Sequence, residues 1–158
     1  MEKFKKGVYA ELPKLLEVVK AGAIEKEMGV CSGWISARLR CSHNGPNSIR
    51  TFRGNDIDKL NQGIWSLGEK LMQTNIVWSS ERTECSKNVK EGLKRLFINK
   101  ITKKRLNFTK AQTSMYMALG ARNKYNSVFS ESQIQQLIME AREIGLMMLS
   151  TEYYMDKD

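Results

Sequence analysis

The side chains best suited to chemistry in this chain are Cys31, Cys41 and His43, two cysteines and the sole histidine within thirteen residues. Three such groups could begin a zinc site. The spacing C-x9-C-x-H fits no common zinc module, however, and no fourth ligand stands near in sequence. Nucleophilic catalysis by a Ser–His or Cys–His pair would have to use His43, which sits in "SHNGPN", a stretch of strong turn formers. No phosphate-binding loop or dinucleotide fingerprint occurs. The expectation is therefore no metal, no cofactor and no enzymatic activity. The third cysteine, Cys85, makes the number odd, so the three cannot all pair within one chain. A reduced, cytoplasmic environment is the simpler reading.

The chemistry that remains is electrostatic. Between Lys87 and Lys124 there are eleven Lys and Arg residues and one acid, Glu91, a net +10 in 38 residues against +9 for all 158. Such a stripe attracts polyanions, because each cation brought to a phosphate releases condensed counterions. Lys100, Lys103, Lys104, Arg105, Lys110, Arg122 and Lys124 are its candidate phosphate contacts.

The elements that must position these residues are helical. Hydrophobic residues make up 41% of the chain, enough for a core. Apolar positions recur at helical spacing, and alternating Val/Ile/Thr runs are nearly absent, so an all-α fold is expected. No apolar run approaches the ~20 residues of a membrane helix. The basic start "MEKFKKGVYAELPKLL" lacks the apolar region of a signal peptide.

Two segments match at an offset of 77 residues: "TFRGNDIDKLNQGIWSLGEKLM" and "VFSESQIQQLIMEAREIGLMML". Phe52 falls on Phe129, Ile57 on Ile134, Leu60 on Leu137, Ile64 on Ala141, Leu67 on Ile144, Gly68 on Gly145 and Leu71 on Met148. The steps of three and four describe the apolar stripe of an amphipathic helix. The paired glycines suggest close approach of another backbone. Ser130 and Gln133 form a capping box, with Phe129 and Ile134 as its hydrophobic staple. In the first copy Arg53 holds the capping position, and Gly54 or Asn55 is expected to cap instead. Upstream the match continues at an offset of 78, with "MGVCSGWIS" over "LNFTKAQTS". The chain thus reads as two helical units, residues 1–76 and 77–158, with Trp65, Trp78 and methionines filling the seam.

In the first copy, "AIEKEMGVCSGWISARLR" resembles the helix-turn-helix of phage-repressor-type regulators. Ile24 and Met28 would face inward, Gly29 would make the turn, Val30 would be buried after it, and Ile35 and Leu39 would anchor the second helix. Glu25 and Arg38 stand where that family is usually apolar, and Trp34 is large for an outward face. The second copy has Asn107 at the turn. The resemblance implies recognition helices over 31–40 and 109–119, whose N-terminal parts enter the major groove. Ser32, Ser36 and Arg40 would then face DNA in one copy, and Lys110, Gln112 and Ser114 in the other. Gln112 suits paired hydrogen bonds to adenine and Arg40 to guanine, while Ser and Lys mostly touch phosphate. Arg50 in the following loop would reach the backbone.

The leading expectation is a duplex-DNA-binding transcriptional regulator of phage or mobile-element type, its two units acting as an internal pseudo-dimer. The alternative is a helical adaptor or inhibitor that binds an acidic protein partner. RNA binding by the stripe is a third reading, disfavoured by the shortage of stacking aromatics.

Overall fold

A computed structural model of the chain describes residues 3–40, 52–75 and 130–156. These form strand β1 (Phe4–Gly7), helices α1 (Val8–Leu16), α2 (Ala21–Met28), α3 (Trp34–Arg40), α4 (Gly54–Gln73) and α5 (Glu131–Leu149), and strand β2 (Thr151–Tyr154). The protein is mostly helical, roughly as the all-α expectation has it, with the addition of one small two-stranded sheet. β1 and β2 pair in parallel, with Phe4 opposite Thr151 and Lys6 opposite Tyr153. The sheet was not foreseen because each strand has only four residues and neither carries an alternating apolar pattern. Backbone bonds and donors from a helix hold the sheet, and those have no side-chain periodicity.

The chain divides into two compact units, Met1–Glu69 together with Gly145–Asp158, and Lys70–Ile144. In the first unit α4 supplies the floor. Ile57, Leu60, Ile64 and Leu67 are buried at helical spacing, with Val8, Leu12 and Leu15 of α1 and Ile24 of α2 also in the core. α4 also grips β2 directly. The Asn61 carboxamide is buried, donates to the carbonyl of Tyr153 at 2.9 Å and accepts from its N–H at 2.8 Å. One turn later Trp65 Nε1 donates to the carbonyl of Thr151 at 2.7 Å. A buried backbone strand with unpaired groups would be costly, and these two side chains satisfy three of them.

The two ends of the chain meet at α1. Asp156 accepts from the N–H groups of Tyr9 and Ala10 at 3.0 and 2.9 Å, so a residue 146 or more positions away caps the helix. Its acidic charge also suits the helix N-terminus. Gly7 makes room for it, since a Cβ there would lie 2.6 Å from the Asp156 carboxylate.

The glycines matched between the two repeat segments meet each other. A Cβ on Gly68 would come within 3.0 Å of the Gly145 carbonyl oxygen and 3.2 Å of Leu149 and Met148. α4 and the last turn of α5 therefore cross at backbone contact.

In the second unit the capping box forms as expected. The Gln133 N–H donates to Ser130 Oγ at 3.2 Å, and the Ser130 N–H to Gln133 Oε1 at 3.0 Å. Ile134 and Leu137 are buried, while Ile144, expected in the core, is only half-buried. Phe129, expected as half of the hydrophobic staple, lies outside the described residues.

Candidate nucleic-acid interface

α2 is stopped by its own last turn. Gly29 adopts a left-handed backbone (φ 74°), and the N–H groups of Gly29 and Val30 return to the carbonyls of Lys26 and Glu25. This is the Schellman arrangement, for which a residue without Cβ is best suited. A second left-handed residue, Gly33 (φ 88°), precedes α3, and the Ala37 N–H donates to its carbonyl.

Glu25 fixes how α3 follows. It is 4% exposed, and its Oε2 accepts the Ile35 N–H at 2.8 Å. That N–H belongs to the first turn of α3, where the backbone has no partner within the helix. An acid on α2 thus caps α3 across the turn, which explains why this position is not apolar. Ile35, beneath it, is fully buried. Val30 and Leu39, read as core residues from sequence, are half-buried.

The other two residues that departed from the expected pattern form a second clasp. The Arg38 guanidinium lies 3.7 Å from the centre of the Trp34 ring, and its Nε meets Asp56 Oδ2 at 3.3 Å. Trp34 packs edge-on against Phe52 at 5.8 Å, and Phe52 against Tyr9 at 5.7 Å. Asp56 also accepts the Arg53 N–H at 3.1 Å. Arg53 is therefore the capping residue of α4 after all, served by Asp56 three residues on, and not replaced by Gly54 or Asn55. α2 is docked on α4 in turn. Ser66 Oγ donates to Glu27 at 2.6 Å, and Met28 occupies the space that a Cβ on Gly63 would need.

These contacts leave the N-terminal end of α3 open. Cys31, Ser32, Gly33 and Ser36 are all exposed, and Ser36 Oγ donates only to the Gly33 carbonyl at 3.2 Å. Arg40 is the last residue of α3. Arg50, Lys100, Lys103, Lys104, Arg105, Lys110, Gln112, Ser114, Arg122 and Lys124 lie outside the described residues, as do Cys41 and His43. Of the expected site, the described side chains are those of Ser32 and Ser36, both exposed near the start of α3. Glu25 is the residue that the sequence did not mark as functional. Its signal was an acid in an otherwise apolar row, ten residues before the N–H it serves. No protein family, curated protein or solved structure matches the chain. Among the described residues no helix is long and apolar enough to cross a membrane.

Proposed function

We propose that this chain binds duplex DNA as a transcriptional regulator, with α2, the Gly29 turn and α3 acting as a helix-turn-helix. The observation that carries the reading is the α3 N-terminus, fixed from behind by Glu25 and Ile35 while Ser32, Gly33 and Ser36 stay exposed. Small polar residues there let a helix approach a groove closely and donate to phosphates. The +10 segment from Lys87 to Lys124 would supply the sequence-independent attraction.

The two kinds of contact respond differently to substitution. Changing Lys103, Lys104 and Lys110 to Ala should weaken binding to all sequences alike and flatten the salt slope by up to about one unit per lost contact. Arg40→Ala and Gln112→Ala should each cost ~1–3 kcal/mol on a preferred site and little on random DNA. Gel shifts on selected and random duplexes separate the two classes. A second reading, a helical adaptor for a protein partner, is favoured by the exposed Leu146 and Met147 of α5. It expects neither class of substitution to matter.

A further inference from the structure

Beside the small sheet the first unit carries a partly open cavity of about 120 Å³. Leu15 of α1, Ile64 of α4 and Met148 of α5 form its apolar wall, and all three are buried. Lys6 and Tyr153 stand at its other side. They are opposite each other in the parallel register, so their side chains leave the same face of the sheet.

Both carry unused hydrogen-bonding capacity. Tyr153 is 5% exposed, and among the described residues no hydrogen bond reaches its hydroxyl. A buried hydroxyl without a partner costs on the order of 1–3 kcal/mol, so a native structure that keeps one invites a ligand. Burial, and then the charge of Glu11, push this phenol up to about 12, so it is a donor throughout the neutral range. Lys6 has no acidic partner among the described residues. Glu11, which also lines the cavity, is answered by Lys14 at 3.3 Å.

We infer that this cavity is a binding site for a small monocarboxylate with a compact apolar body. The body would lie against Leu15, Ile64 and Met148, and the carboxylate at the mouth would accept from the Tyr153 hydroxyl and the Lys6 ammonium. The size is right for a single ring, since an apolar cavity of roughly 150 Å³ admits benzene, and here the head group stays outside the apolar part. With Glu11 answered by Lys14, Lys6 leaves the lining one positive charge in excess, which favours an anion over a cation even though the Glu11 charge also reaches the Tyr153 phenol. A neutral molecule would leave Lys6 without a counter-charge. This site does not depend on the DNA reading.

Titration of the ¹⁵N-labelled full chain with benzoate tests it, with benzyl alcohol as the neutral isostere and acetate as the bare head group. Benzoate is expected to give saturable shifts centred on the amides of Lys6 and Tyr153. Benzyl alcohol and acetate should bind at least about tenfold more weakly, the effect of losing a charged hydrogen bond or the apolar body. Lys6→Met and Tyr153→Phe should each weaken benzoate about tenfold, and Ile64→Phe, which fills the cavity, should abolish binding. Should Ile64→Phe fail to fold, the wild-type ligand series and Lys6→Met decide alone. Absence of saturable shifts with benzoate, equal affinity for benzyl alcohol, or unchanged binding by both Lys6→Met and Tyr153→Phe would overturn the assignment.

Discussion

Glu25 couples the two helices of the proposed recognition unit through a single hydrogen bond. Glu25→Ala leaves the Ile35 N–H without a partner in a buried place, a loss of about 1–3 kcal/mol. Urea midpoints check this, with Glu25→Gln, which keeps an acceptor oxygen, expected to recover part of the stability. An Ala midpoint equal to wild type would mean that the bond contributes nothing. Tyr153 gives a test by titration. Its folded pKa of about 12 lies above the ordinary 10, so the protonated phenol is favoured by folding. The stability it contributes is fully present below pH 10 and is lost as pH rises through 12. Phenolate absorbance should therefore contain a step near pH 12, and Tyr153→Phe should remove it. Residues of this kind were poorly legible in sequence. Glu25, Trp34 and Arg38 looked out of place because their partners are a backbone N–H, the Phe52 ring and Asp56, none of which belongs to any periodic pattern.

At the scale of elements, periodicity was the dependable signal. The apolar stripes of α4 and α5 follow from the spacing of Ile57 to Leu71 and of Ile134 to Met148, and the Ser130–Gln133 box from two residues alone. The matched glycines promised a close backbone approach, and Gly68 finds it at Gly145 itself. Gly68→Ala should accordingly destabilise the protein. The gain in helix propensity is up to about 1 kcal/mol, whereas forcing a methyl against a backbone carbonyl at 3.0 Å costs typically 1–3. A raised melting temperature would show that the two helices part at little cost. The strands were not legible, since what holds β2 is β1 on one side and Asn61 and Trp65 on the other. Asn61→Ala removes two buried hydrogen bonds to Tyr153 and should cost more than any surface substitution on α4, about 2–4 kcal/mol. Thermal unfolding of that variant beside Leu60→Ala, expected to lose ~2–5 kcal/mol, compares the polar clamp with the apolar floor.

For the whole molecule, the two termini close one unit, with Asp156 capping α1 and β2 beside β1. Asp156→Ala should cost about 0.5–2 kcal/mol, the usual range for a lost cap, and proteolysis should then begin at the chain ends. The function proposed for that unit rests on an exposed helix end working with a basic segment elsewhere in the chain. The most direct test is fluorescence anisotropy of a labelled random duplex titrated with the full chain over a salt series. Measurable affinity is expected at low salt, its logarithm falling linearly with the logarithm of salt concentration by about 0.9 per phosphate contact. A folded sample that shows no binding even at the lowest salt would contradict it and put the protein-partner reading first.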